Sequence, residues 1–260
     1  MQKGLSPKTI KNIHGTLHKA LEQAVRVGNL HHNPTDACEL PKAYKKEVTP
    51  PEQDDIIKLL DGFQGNPYEL IYQVTLFTGM RQGEVLGLTW DCVNFERSTL
   101  RINKQLQKSQ KVGGKYQLVP TKTSRTRTIK VAESVMVILQ KQKSIQACMQ
   151  LSAGQDWNNS MNLVFTNENG RHLVHVTVYK RFKKVVRSLG MDSTRFHDLR
   201  HFYACAALER GDDLVTLKET LGHSTITTTA DIYTQVTQKA WQKSADRAEE
   251  YIQELLDKTS

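Results

Sequence analysis

Residues 195–208, RFHDLRHFYACAAL, constrain this chain more than any other stretch. As a helix, they place His197, Arg200 and His201 at i, i+3 and i+4, stacked on one face. Phe202, Tyr203, Ala204, Ala206, Ala207 and Leu208 then demand a packed environment. Cations crowded on a half-buried helix repel one another unless something anionic sits among them. The fold must therefore bury this helix and still admit an anion to its basic end.

A chain of 260 residues with 38% hydrophobic content holds ample material for one large domain, or for one domain and a smaller partner. The formal net charge of +9 makes a polyanion the leading partner, with nucleic acid ahead of an anionic membrane surface. Cys38, Cys92, Cys148 and Cys205 are far apart and form no CxxC pair, which fits reduced thiols better than a disulfide frame or a zinc cluster. The opening MQKGLSPKTIK lacks the apolar core of a signal peptide, and no apolar run is long enough to span a bilayer. The expectation is a soluble, intracellular protein.

Ser6-Pro7 reads as an N-cap and first helical position, and Ile10, Ile13, Leu17, Ala20, Leu21 and Ala24 follow on one stripe up to Gly28. The opposite face carries Lys8, Lys11, Lys19 and Arg26, either tracking phosphates or simply solvated. Residues 39–48 are basic, lack periodicity and read as a linker, and Thr49-Pro50 opens the next helix. An apolar helix around residues 70–76 leads into TGMRQGEVLGLTWDCV. Three strand-like runs follow: one at Leu100 and Ile102, a second at Tyr116 and Leu118 beyond the turn Gly113-Gly114, and a third in TKTSRTRTIKV. Helices are expected from Ala132 to about Gln146, on the stripe Phe182, Val185, Val186 and Leu189, over 195–210, and at Leu214 to Leu217, with a short strand at 162–165. The tail is helical in pattern. The whole reads as mainly α with one small antiparallel sheet.

A lone His or Arg on a helix is more often structural than catalytic. A zinc site at His197, His201 and Cys205 has suitable helical spacing but lacks the glutamate of HExxH, since position 198 is Asp. A phosphodiester fits better. The planar fork of an arginine matches two non-bridging phosphate oxygens and keeps its charge, and two such forks can neutralise a pentacoordinate phosphorane with no metal. Arg81 lies at a glycine turn after an apolar helix, with Glu84 three residues on to hold it or cap the helix. Lys122 sits at the tip of the hairpin PTKTSRTRTI, and LGHSTITTTADIY supplies His223 and Tyr233.

Together, TGMRQGEVLGLTWDCV, PTKTSRTRTI, HDLRH and LGHSTITTTADIY resemble the tyrosine recombinases, or phage integrases, in the order R, K, HxxR, H, Y. The resemblance covers residues 50–240, more weakly 4–40, and leans toward integrases of conjugative transposons and phages of Gram-positive bacteria. It implies that Arg81 and Arg200 clamp the scissile phosphate while Tyr233 attacks it to form a 3′-phosphotyrosine. Lys122 would protonate the departing 5′-oxygen, and His197 and His223 would hydrogen-bond the phosphate, with Glu84 and His201 in support. Among eight tyrosines, Tyr203 reads as core, while the spacing of Tyr233 from His223 suits the family.

The implied architecture is a tyrosine-recombinase catalytic domain at 46–260 after a partial helical core-binding domain and linker at 1–45. Implied partners are double-stranded attachment-site DNA and an excisionase. A homo-tetramer on DNA would form through the C-terminal helix, whose stripe is Trp241, Ala245, Ala248, Ile252 and Leu255. No cofactor and no metal is expected, and the location is the bacterial cytoplasm at the nucleoid. Only the last part of the usual four-helix clamp has a counterpart, at residues 5–41, and an arm-binding domain has none. Two rivals follow: a truncated DNA-binding remnant that does not recombine, and an enzyme relaxing DNA like a type IB topoisomerase.

Overall fold

The computed structural model describes residues 4–42, 53–109, 114–121, 126–222, 248–249 and 251. The chain divides into two units, residues 1–48 and 49–260.

The first unit is one long helix, α1 (Pro7–Arg26), with a short return segment. Ser6 caps it, accepting the Thr9 N–H at 3.2 Å, and Pro7 occupies a first turn whose N–H groups have no helical partner anyway. Gly28, at φ 79°, takes the left-handed turn that ends it. A 3-10 turn at Pro34–Ala37 folds back on polar contacts. Asn33 donates to the His18 carbonyl at 3.1 Å, and His14 bonds the Thr35 carbonyl at 3.0 Å. No residue of α1 is buried. Among the described residues of this unit the expected apolar stripe is only partly covered: Ile10, Leu21 and Ala24 are half-buried, while Ile13 and Leu17 are half exposed.

The second unit carries α2 (Gln53–Phe63), α3 (Glu69–Thr78), α4 (Gln82–Leu86), β1 (Val93–Asn94), β2 (Thr99–Ile102), β3 (Lys104–Lys108), β4 (Tyr116–Pro120), β5 (Arg127–Lys130), α5 (Glu133–Ala153), α6 (His175–Ser188), α7 (Asp198–Glu209) and α8 (Leu214–Leu221). It is the expected class, helices with a minor antiparallel component. Tyr72 of α3 lies at the centre of the core, its ring 4.9 Å from Phe63, 5.5 Å from Phe182 and 6.0 Å from Phe196. Such pairs add about 0.5–1.5 kcal/mol each beyond the area they bury. The Tyr72 hydroxyl donates to the Val178 carbonyl at 3.1 Å, so its polar end is satisfied inside the core. This cluster joins α2, α3 and α6 to the segment leading into α7.

Three expectations are corrected. The single sheet is two: β1-β2-β5 and a separate hairpin β3-β4, all antiparallel. The chain leaves one sheet at Ile102 and enters the other at Lys104, while alternation keeps Leu100, Ile102 and Leu106 all buried. Residues 162–165 make one isolated bridge, Leu163 with Thr89, and no strand. Leu163, Val164 and Phe165 are all buried, so the apolar run reflects core packing. Helix α5 runs on to Ala153 and ends only where Gly154 takes a positive φ of 52°; on its inner face Gln142 and Gln146 bond the carbonyls of Val164 and Leu163 at 3.0 Å. The Thr49-Pro50 helix start and the tail stripe lie outside the described residues, except for Ala248, which is helical and exposed. No helix among the described residues is long and apolar enough to cross a membrane.

Candidate active site at the carbonyl end of α8

α3 stops because Gly79 takes the left-handed conformation at φ 64°. A side chain there would also lie 2.6 Å from both Leu221 and Tyr203, so the end of α3 is pressed directly against α7 and α8. Two residues later Arg81 forms the N-cap of α4. Glu84 reaches back to accept the Arg81 backbone N–H at 3.0 Å and its guanidinium at 2.7 Å, so one carboxylate both caps the helix and aims the arginine. Arg127, on β5, meets the same carboxylate with two parallel bonds of 3.1 and 2.7 Å.

The last carbonyls of a helix have no helical partner and carry the negative end of its dipole. At the end of α8 each of three such groups receives one arginine from a different element. Arg127 Nε donates to the Thr220 carbonyl at 2.8 Å, Arg200 Nη2 to Leu221 at 2.5 Å, and Arg81 Nη2 to Gly222 at 3.0 Å. Arg200 also donates to the Gly79 carbonyl at 2.8 Å, joining the ends of α3 and α8. Asp213 caps the other end of α8, accepting the Val215 and Thr216 N–H groups at 2.9 Å.

The electrostatics are lopsided. Arg81 and Arg127 share one carboxylate, that of Glu84, which is 1% exposed, whereas Arg200 donates to the Gly79 and Leu221 carbonyls. Burial pushes the Glu84 carboxyl up, but the hydrogen bond and charge of Arg127, then the backbone N–H and charge of Arg81, outweigh it and hold it at about 2. Burial, followed by the charge of Arg81, lowers the pKa of Arg200, which is 2% exposed. His197 occupies the N-cap position of α7 without a side-chain cap bond, its ring 5.4 Å from that of His201. Burial, then His201 and Arg200, push the His197 imidazole down to about 4, and burial likewise lowers His201. Both rings are neutral at pH 7, able to donate and to accept. Among the described residues the three guanidiniums reach one carboxylate between them, an excess of positive charge at a packed site that suits an anion with several oxygens.

The structure thus brings Arg81, Glu84, Arg200, His197 and His201 into one neighbourhood. Lys122, His223 and Tyr233 lie outside the described residues. Lys122 falls in the connection between β4 and β5, and His223 directly follows Gly222 in the chain. Lys8, Lys11, Lys19 and Arg26 are exposed on α1, in the other unit. The zinc reading gains no support: Cys205 packs with Ala204, Ala207, Leu217 and Leu221 between α7 and α8.

Arg127 is the residue the sequence reading missed. Its signal is alternation: Ile129 points inward on β5, so Arg127, two residues before it, shares the buried face. A cation on the inner face of a strand requires a partner, and Glu84 is that partner.

Residues 47–240 match the model of the phage integrase family. A tyrosine recombinase XerC-like protein of Caldanaerobacter subterraneus subsp. tengcongensis is 31% identical over 253 residues, covering 92% of this chain and 65% of that protein. The ICEBs1 integrase of Bacillus subtilis is 25% identical over 262 residues, covering 97% of this chain and 68% of its own length. The Tn1549 transposon integrase in complex with transposon right end DNA shares the fold at a TM-score of 0.75 and 22% identity, over 94% of this chain and 81% of that one. The chain therefore spans roughly two thirds of the length of these curated relatives. On the match of 47–240, which takes in the arginine cluster and all four motifs, the chain belongs to the phage integrase family, the tyrosine recombinases.

Proposed function

We propose that this protein is a site-specific DNA recombinase of a mobile element, cutting and rejoining duplex DNA through a 3′-phosphotyrosine on Tyr233. The observation that carries the reading is the cluster of Arg81, Arg127 and Arg200 at the end of α8, the first two on one buried carboxylate, with two neutral imidazoles beside it. In this reading a scissile phosphate takes the place of the missing negative charge, held by Arg81 and Arg200. The Tyr233 oxygen bonds to phosphorus as the bond from phosphorus to the 5′-oxygen breaks. Lys122 donates the proton that the 5′-oxygen needs, and His197, kept neutral, takes the tyrosine proton. His223 hydrogen-bonds the phosphate. Attack by a 5′-hydroxyl on the phosphotyrosine reverses the chemistry, so rejoining draws on the conserved phosphodiester and needs no ATP.

Residues 46–260 are the catalytic part in this reading, and residues 1–45 belong to a helical DNA clamp whose cations on α1 follow the phosphate backbone. The partners are double-stranded attachment sites, further copies of the chain in a tetramer joined through the C-terminal helix, and an excisionase. Incubation with a nicked suicide substrate tests the proposal. The wild type should give an adduct that survives SDS, and Tyr233→Phe should bind the DNA without forming it. An adduct with the Phe variant contradicts the assignment of the nucleophile.

A further inference from the structure

We propose that Arg127 is a positioning residue for strand cleavage, locking the carbonyl end of α8 to the Arg81–Glu84 pair. The proposal rests on the recombinase reading above. Arg127 commits its whole fork: two parallel bonds to Glu84 and a third, from Nε, to the Thr220 carbonyl. Pairing with Glu84 on both oxygens neutralises its charge locally, so it serves the site through geometry. Arg81 and Arg200 differ: the first gives Glu84 only one of its side-chain donors, and the second bonds only carbonyls among the described residues.

Gly222 shows how closely the lock is fitted. A side chain at that position would lie 2.9 Å from Arg127 Nη1 and 3.2 Å from its Cζ, so the guanidinium closely approaches the backbone just before His223. Gly222 is also left-handed, at φ 65°, so two independent requirements select glycine. One side chain thus spans three parts of the site: the strand β5 that follows the connection carrying Lys122, the carboxylate that aims Arg81, and the helix end that leads to His223. Displacing reacting groups by about 1 Å can slow a reaction about 100-fold, so a residue that sets these distances can govern the rate without touching DNA.

The test uses the full chain at saturating concentration on the nicked suicide substrate, measuring DNA affinity, the single-turnover rate of adduct formation and the folded fraction. Arg127→Lys keeps a cation beside Glu84 but cannot reach both Glu84 and the Thr220 carbonyl with one ammonium. It should fold, bind DNA as the wild type does, and form adduct about 10- to 100-fold more slowly. Arg127→Ala should be slower still, and added guanidinium ion at concentrations that leave it folded should recover part of the rate. Wild-type cleavage by Arg127→Lys overturns the proposal, as does a rate loss that simply tracks lost folded protein. No adduct with the wild type overturns the recombinase reading and this inference together, whereas normal adduct from both wild type and Arg127→Lys overturns this inference alone.

Discussion

Helices α1 and α7 carry the same kinds of basic residue and use them in opposite ways. α1 displays Lys8, Lys11, Lys19 and Arg26 on a solvated face, and no residue along it is buried. Arg26 makes only a long 3.9 Å contact with Glu22. α7 buries Leu199, Arg200, Phe202, Ala204, Cys205 and Ala207, and its arginine is held by two carbonyls from two other elements. A charge on α1 is free to move, is screened by salt and is replaceable by any other cation. The Arg200 charge is fixed in direction by two carbonyls and is screened much less by salt. In the proposed reading, burial, more than the count of cations, separates a surface that attracts DNA from a site that acts on one phosphate.

The largest expected break in this contrast is catalytic. Arg200→Ala should slow adduct formation by about 10²–10³, the scale for removing one preorganised charge donor. Lys19→Ala on α1 should leave that rate unchanged at saturating protein. Equal losses from the two would erase the distinction.

Stability gives the next contrast. Glu84→Ala strips the shared partner from two guanidiniums at a packed site and should cost about 3–5 kcal/mol in denaturant unfolding. Glu22→Ala, which removes the exposed partner of Arg26, should cost about 0–0.5 kcal/mol.

A pH series separates the regions further. Burial, then His201 and Arg200, hold the folded His197 at about 4, while the unfolded chain takes up a proton near pH 6.5. The unfolded state therefore binds more protons between those values. The stability contributed by a neutral His197 is complete above about pH 6.5 and is lost as the pH falls toward about 4. His201 shifts in the same direction. Urea midpoints between pH 7.5 and 4.5 should fall, and His197→Gln should flatten the fall. A slope unchanged by the substitution would contradict the burial of that ring.

The smallest effects belong to α1. Replacing Lys8, Lys11 or Lys19 by Ala should change stability by no more than about 0.5 kcal/mol. Each should lower the steepness of the salt dependence of DNA affinity by about 0.9 if it meets a phosphate. An unchanged slope would assign the face to solvent alone.

Much of this was legible along the chain where the controlling interaction is local. Ser6 and Pro7 start α1 and Gly28 ends it, a glycine turn separates α3 from Arg81, and the Glu84 role was readable from its three-residue distance to Arg81. What escaped is set by partners far apart in sequence. Nothing near Arg127 points to Glu84 or to Thr220, 43 and 93 positions away. The run at 163–165 looks like a strand because a core position and a strand position call for the same apolar residues. The break between sheets at Asn103 leaves the apolar alternation intact, so hydrophobicity alone does not reveal it.

The central claim is that the unmatched positive charge at the end of α8 is the seat of a phosphotyrosine reaction. Mass spectrometry of the protease-digested adduct with a nicked suicide substrate tests it most directly. The account predicts one modified peptide, with Tyr233 joined to the 3′-phosphate of the cleaved strand, and none from Arg200→Ala on the same timescale. Attachment at another tyrosine, linkage to a 5′-phosphate, or an undiminished yield from Arg200→Ala would contradict it.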